Sequence, residues 1–537
     1  VSYRQTLQCP GLQPFLSTQF LGAFNDNIFK MVVSFLAMDA LGDVEGVTLV
    51  GAVFIVPFLL FSGYAGHLAD RYSKRTVLVW MKWLEIAAMA LAVPALLTGH
   101  IGLLLAVLFL MATQSTFFSP AKYGILPELL PDIELSRANG LLEMSTFVAI
   151  VVGTSIGGLV FTAFRDTPLV IGSVLVGLAI LGTWTSLRIP AVPVGGTGRT
   201  LQWAPWGEVQ AGLRRLLSDR TLWMTALGAS FFWFLGALLQ LALLPYATST
   251  LGVNAAAATQ LYTALAIGIG AGSLLAGRLS GNHIELGLVP LGSLGMAVFS
   301  LTLAASSTSY WWSAASLFAL GIAGGFFAVP LNALLQHRPE AHERGRILAT
   351  ANVMQTVGIL LASAVLWFFG TRLGWTIPAV FAAAGIVTFI GGVYVLLTLP
   401  AFFIRFTLWM LTHTVYRINV VGRDRVPYDG PALLICNHAS MIDGALVGAS
   451  VHRFVRFMMH GPYFHIPGIH FVMRRLHGIP ITAGDKADVE RALQRARQEL
   501  RDGHVVCIFV EGAVSRTGNL LPFRPGFQRI LEGIDVP

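Results

Sequence analysis

The chain has 537 residues, 55% of them hydrophobic and 12% charged, with a formal net charge of +8 and a mean hydropathy of +0.70. Soluble domains carry about 25% charged residues, so a soluble globular protein is excluded and a polytopic membrane protein is expected. The positive charge suits membrane orientation and anionic headgroups rather than nucleic acid, and Cys9, Cys436 and Cys507 show neither disulfide nor metal-ligand spacing.

The first residue is Val1 rather than an initiator Met, and the first span is expected to act as its own insertion signal. A span needs about 20 mostly apolar residues. Twelve stretches qualify, at 14–40, 47–66, 76–98, 101–121, 139–164, 168–188, 221–247, 258–279, 285–306, 311–334, 347–370 and 376–398. The longest break, 189–220, contains Gly195-Gly196-Thr197-Gly198 and a basic amphipathic run with Arg214, Arg215 and Arg220. Six spans, a linker (191–220) and six spans predict two similar halves, about 1–190 and 221–398. Phe117 and Phe326 open similar stretches that reach Arg137 and Arg346, and both pairs share a 209-residue offset. Lys and Arg collect in the loops after spans 2, 4, 6, 8 and 10, whereas the opposite loops carry only Arg165 and Arg372. Positive charge stays inside, so both termini and the C-terminal polar region are expected in the cytoplasm.

The texture changes after residue 398. Residues 402–417 are apolar and aromatic but include Arg405, His413 and Arg417, which suits an interfacial helix better than a span. Val420-Val421-Gly422 and Ala432–Cys436 read as short strands, Lys486–Arg501 as an amphipathic surface helix and Val505–Val510 as a buried strand. The alternation predicts an α/β domain over 399–537.

Gly66-His67-Leu68-Ala69-Asp70-Arg71-Tyr72-Ser73-Lys74-Arg75, after the second span, resembles the loop signature of the major facilitator superfamily. The resemblance implies a bundle of twelve transmembrane helices in two six-helix halves, with Asp70 and Arg71 in a gating loop. Asp is also a residue type that caps helix N-termini. The second-half counterpart, Gly277-Arg278-Leu279-Ser280, lacks the Asp. Polar residues inside spans are the functional candidates: Asn25-Asp26-Asn27 and Lys30, where the i,i+4 spacing of Asp26 and Lys30 permits a pair on one helix face, then Lys82, Glu85, Lys122, Glu143 and Gln240. Each reads equally as a satisfied interhelical contact or a snorkelling end, Lys122 most readily by position.

Gln19–Asn27 and Ser119–Leu126 resemble the bacterial lysophospholipid transporters, over about residues 10–398. That resemblance implies inward flipping of lysophospholipid across the inner membrane, with Asp26 and Lys122 in headgroup recognition or gating, an Asp and a Lys suiting the ammonium and phosphate of a zwitterion.

Asn437-His438-x-x-x-x-Asp443, Phe509-Val510-Glu511-Gly512-Ala513-Val514-Ser515-Arg516 and Phe523-Arg524-Pro525-Gly526 resemble three motifs of the glycerolipid acyltransferases, with a weaker second motif at Arg474–Ile481. Independently of the family, a His with an Asp five residues on suits a general base and its orienting carboxylate, and Arg516 suits an acceptor phosphate. The resemblance implies His438 and Asp443 as the catalytic pair, and Glu511, Gly512, Ser515 and Arg516 around the acceptor, Glu511 by positioning. It requires no bound cofactor, only an acyl donor, acyl–carrier protein or acyl-CoA; the basic face suits the acidic carrier protein and anionic lipid equally. His460, His465, His470 and His477 are read as structural. Val510 stands where the family has Pro, and the chain ends at Pro537, about where a fourth, Pro-containing motif begins, so the domain is expected to be C-terminally incomplete. In relatives such fusions can continue into an acyl–carrier-protein ligase.

The combined expectation is transport of lysophospholipid, lysophosphatidylethanolamine foremost, coupled to its re-acylation to diacyl phospholipid at a bacterial inner membrane. Two rival readings are a membrane-anchored lysophosphatidic acid acyltransferase, and a drug- or sugar-type transporter with a non-catalytic lipid-binding appendage.

Overall fold

A computed structural model describes every residue except 1–2, 42, 193–204, 254, 281–283, 307, 399, 417, 423–424, 428–429, 452, 467, 483, 516 and 518. Gly195–Gly198, Arg417 and Arg516 therefore lie outside the described residues. The chain forms two compact units, Val1–Val393 and Tyr394–Pro537.

Twelve helices among the described residues are long and apolar enough to cross a membrane. They are α1 Leu12–Leu41, α2 Asp43–Arg71, α3 Lys74–Thr98, α4 Ile101–Leu129, α5 Leu135–Phe164, α6 Pro168–Leu187, α7 Arg220–Pro245, α8 Ala255–Ser280, α9 Leu288–Ala305, α10 Tyr310–His337, α11 Arg344–Leu366 and α12 Ile377–Thr398. Helices apolar all round are buried in protein or lipid. The repeat is visible in the helix starts: Ile101 and Tyr310, like Leu135 and Arg344, keep the 209-residue offset. α4 runs on to Leu129, past the expected end at 121, through Pro120 and Pro127. The basic run of the linker forms an amphipathic helix, Pro205–Ser218. Asp219 then caps α7, accepting the Thr221 and Leu222 N–H groups at 2.9 and 3.2 Å.

Two seams join the halves at the end that carries the basic loops. At one, α2 meets the start of α11 so closely that a Cβ on Gly345 would lie 2.7 Å from the Gly66 carbonyl, and one on Gly66 would lie 2.6 Å from the Ala349 Cβ. At the other, a Cβ on Gly140 of α5 would lie 2.5 Å from the Ser273 carbonyl of α8. Small residues let helix backbones approach in this way.

After the end of α12, the second unit contains α13, Pro400–Val415, at the position expected for the interfacial helix. A parallel sheet follows, made of β1 Ala432–Cys436, β2 Val455–His460, β3 Ile479–Ile481 and β4 Val505–Phe509, in the order β1-β4-β2-β3. Between and after the strands lie α14 Asp443–Ser450, α15 Gly461–Phe464, α16 Ile469–Arg475, α17 Lys486–Arg501 and α18 Gly526–Leu531. α17 buries Ala492, Leu493, Ala496 and Leu500 along one face, which packs with Leu433, Met458, Ile479 and Val506 of the strands. The strand expected at 420–422 does not form. Gly422 takes a left-handed conformation (φ +78°) and accepts the Arg425 N–H at 3.0 Å, so the chain turns before it can pair, and Val421 is 87% exposed. β2 and β3 were not expected. Arg456 interrupts the apolar run of β2, and β3 is three residues long and contains Pro480, which an edge strand tolerates.

Candidate functional site

In a parallel sheet the carboxyl ends of all strands share one edge, and ligands bind there. β1 leads into His438 and β4 into Glu511. His438 Nδ1 lies 3.0 Å from Asp443 Oδ2, which also accepts the Ala439 and Ser440 N–H groups at 2.7 and 2.8 Å. Partial burial raises the Asp443 carboxyl, but the hydrogen bonds from His438 and the two N–H groups outweigh it and hold the group below its usual value. Asp443 therefore stays ionised and fixes the Nδ1–H tautomer, which leaves Nε2 as the basic nitrogen. The His438 ring stacks on Phe509 at 4.2 Å.

Glu511 is buried. Its Oε1 accepts the His438 N–H and its Oε2 the Leu521 N–H, both at 3.1 Å. Both oxygens are engaged by backbone N–H groups. Ser515 serves the same loop: its N–H donates to the His438 carbonyl at 2.7 Å and its hydroxyl to the Asn519 carbonyl at 2.6 Å. Gly512 is left-handed (φ +67°), and a Cβ there would lie 2.8 Å from Arg524 Nε, so glycine makes room for that guanidinium. Val510 uses the N–H that a proline lacks, donating to the Cys436 carbonyl at 3.2 Å and extending the β1–β4 ladder.

In the bundle, Lys82 and Glu85 form a buried ion pair, and Asn25 of α1 donates to Glu85 at 3.2 Å. Gly22 and Gly182 make room for the Lys82 ammonium. Asp26 and Lys30 do not pair with one another as their spacing allows. Asp26 accepts the Ser115 hydroxyl of α4 at 2.6 Å, while the Lys30 ammonium sits 5.0 Å from the ring centre of Phe54 on α2. Neighbouring helices outcompete the i,i+4 neighbour. Glu143 of α5 accepts Tyr123 at 3.2 Å and, from the other half, Asn332 of α10 at 2.9 Å. Half-buried Lys122 lies over the Tyr123 ring at 4.6 Å, within electrostatic reach of Glu143. An apolar cleft of about 630 Å³ opens between α1, α5 and α6, with Leu16, Phe20, Leu141, Met144 and Trp184 on its walls.

Asp70 does cap a helix, and the helix belongs to the other half: it accepts the N–H groups of Gly345 and Arg346, at 2.6 and 3.0 Å, at the start of α11. Arg71 is exposed, 5.7 Å from the Tyr72 ring centre. Asn139 and Gln336 add a reciprocal pair between α5 and α10, at 3.0 and 2.8 Å. Ser115, Asn332 and Gln336 go beyond the expected site residues, and they obey the same rule that singles out Glu143, a polar side chain inside an apolar span; Phe509 opens an expected motif, but its stacking on His438 does not follow from the sequence.

Comparison with known proteins agrees with this division. The family model described as Major Facilitator Superfamily matches residues 15–363 and 234–407, and that described as Acyltransferase matches 417–537. The lysophospholipid transporter LplT of Enterobacter sp. (strain 638) is 30% identical over 362 residues, covering 66% of this chain and 88% of that protein. That of Serratia proteamaculans (strain 568) is 29% identical over 354 residues, 64% of this chain and 85% of that one. Among solved structures, the transporter FucP in its outward conformation aligns with a TM-score of 0.58 at 17% identity, over 71% of this chain and 98% of that one. The human organic anion transporter MFSD10 aligns with a TM-score of 0.59 at 13% identity, over 71% and 99%. At such identities the structural likeness concerns the fold alone.

Proposed function

Since the chain belongs to the major facilitator superfamily and carries an acyltransferase domain, we propose that it moves lysophospholipid, lysophosphatidylethanolamine foremost, inward across a bacterial inner membrane and re-acylates it on the cytoplasmic side. The observation that carries the enzymatic half is the His438–Asp443 pair, fixed by two backbone N–H groups. The printed names of the transporter relatives support the substrate. The transporter is assigned to residues 1–398, with its linker at 191–220, and the enzyme to 399–537.

His438 Nε2 takes the proton of the acceptor hydroxyl as that oxygen attacks the acyl thioester carbonyl. The ester C–O bond forms, the C–S bond breaks, and the imidazolium returns its proton to the departing thiolate. Asp443 stabilises the imidazolium meanwhile. Glu511 and Ser515 hold the His438 backbone, and Arg516 binds the acceptor phosphate, with Arg524 beside Gly512 as a second cation. In the bundle, Asp26 and Lys122 meet the ammonium and phosphate of the headgroup, Lys30, Lys82, Glu85 and Glu143 support them, and the apolar cleft suits an acyl chain.

Basic loops stay inside, so the seams close the cytoplasmic end and leave the outer end for entry. Tethering the enzyme to the transporter raises the effective concentration of the acceptor. Acyl–carrier protein is the favoured donor, because an acidic carrier complements the basic cytoplasmic face.

The test is the full chain in proteoliposomes with fluorescent lysophosphatidylethanolamine and either acyl donor. His438→Ala should still move lipid inward yet form no diacyl product. Asp26→Asn and Lys122→Ala should lose transport while acylating lysolipid supplied on the enzyme's side. Full product from His438→Ala, or full-rate transport by correctly inserted Asp26→Asn and Lys122→Ala, overturns the assignment.

A further inference from the structure

The segment between β2 and β3 displays side chains that a water-facing surface avoids. Tyr463, Ile466, Ile469 and Phe471, the last 54% exposed, point outward from α15, α16 and the turn between them, while Phe464 and Leu476 anchor the segment from beneath. Arg474 and Arg475 are exposed at its end, and the Arg475 guanidinium lies 5.4 Å from the Phe471 ring centre. The other side of the domain is different. From 477 to 519 no described residue exposes a large apolar side chain, and α17 presents Lys, Arg, Glu and Gln outward.

Four further observations give the patch a direction. α15 follows the carboxyl end of β2, the same sheet edge at which β1 delivers His438 and β4 delivers Glu511. Exposed Met441, Ile442, Leu520 and Phe523 flank the catalytic residues along the chain. Within the second unit, Arg475 donates at 3.4 Å to the carbonyl of Leu397, the last residue of the final apolar span. α13 touches both α16 and α14, the helix that begins at Asp443.

Exposed aromatic and aliphatic side chains next to Arg are the signature of an element lying in an anionic interface. We propose that Gly461–Arg475 is a membrane-inserting element, second to α13, that seats the carboxyl edge of the sheet on an anionic lipid surface so that the acceptor reaches His438 from the plane of the membrane. The identity of the acceptor rests on the acyltransferase reading; the docking itself does not. An acidic protein would suit Arg474 and Arg475 but not the four protruding apolar side chains beside them.

The experiment uses the full chain in vesicles of phosphatidylethanolamine and phosphatidylglycerol. An environment-sensitive fluorescent amino acid is incorporated at position 471, or at 491 on the charged face of α17. Nitroxide-labelled lipid should quench the probe at 471 at least twofold more than that at 491. Equal quenching, or shielding of 471 by acyl–carrier protein instead of lipid, overturns the proposal. In a kinetic arm, the double variant Ile469→Ser/Phe471→Ser should raise KM for long-chain lysolipid in vesicles about tenfold and leave kcat on a monomeric short-chain acceptor unchanged. Loss of both activities together would mark a packing role and sink the proposal. Should the wild type form no diacyl product, the acyltransferase reading fails while the quenching arm still reports docking.

Discussion

Glu511→Gln separates a positioning role from contact with the acceptor. The carboxylate is buried and spends one oxygen on the His438 N–H and the other on the Leu521 N–H, each at 3.1 Å. Gln keeps the shape and one acceptor, but its amide NH₂ must face an N–H, donor against donor. Hydrogen bonds to a charged group contribute about 1.5–3 kcal/mol. One is lost outright and the other loses its charge, offset by the desolvation that the neutral side chain avoids, so the domain should lose about 1–3 kcal/mol of stability. The amide leaves either the His438 or the Leu521 N–H without its acceptor, which loosens the turn that carries His438, and a displacement of roughly 1 Å at a reacting group costs about a hundredfold in rate. The expected result is kcat lowered about ten- to a hundredfold, KM for lysolipid within about threefold of wild type, and faster hydrogen exchange in β1 and β4 of the full chain. A tenfold rise in KM with kcat and exchange unchanged would mean that Glu511 touches the acceptor, and the positioning role would be refuted.

Asp443→Asn should lower kcat by about a thousandfold with little change in KM, because the amide no longer favours the Nδ1–H tautomer; activity within tenfold of wild type would refute the pairing. The Asp443 carboxyl is held below its ordinary value of about 3.9, so its stabilising contribution is complete above that pH and is lost only as pH falls through the lower, folded value. Exchange protection of the 437–443 turn should accordingly be flat from about pH 5 to 8, and a decline within that window would contradict the bonding seen at Oδ2. Gly345→Val places a Cβ 2.5 Å from Asp70 Oδ1 and 2.7 Å from the Gly66 carbonyl. Such overpacking costs about 1–3 kcal/mol, which should open the seam, lengthening label-to-label distances between α2 and α11 and slowing lysolipid uptake; unchanged distances would show that the seam tolerates the extra carbons.

Much of this architecture is legible in the amino-acid order. Runs of twenty apolar residues announce spans without reference to anything else in the chain, and Asp485 ahead of a charged, period-3.6 stretch marks α17 at its observed ends. β1 and β4 are found because both are unbroken apolar runs. β2 is hidden by Arg456 and β3 by its brevity. What sequence order withholds is partnership. Asp70 reads as a helix cap, yet its helix begins about 275 residues later. Asp26 and Lys30 are spaced for one another but face Ser115 and Phe54, which come from other helices. The candidate catalytic pair is legible because both members lie within one turn. Glu511 is legible only as part of a motif, since its bond to the His438 backbone depends on an N–H 73 residues away.

The strand order β1-β4-β2-β3 also imposes a schedule on synthesis. β4 lies between β1 and β2, so the first strand has no neighbour in the sheet until the last has been made. Chains emerge from the ribosome N-terminus first, and non-local parallel pairings form late. The twelve spans precede residue 400, and the loop that closes on His438 ends at Glu511. A partly made chain thus carries the twelve described spans before it has any means of assembling the edge at His438: insertion of those spans comes first, and acyl transfer waits for the arrival of one central strand.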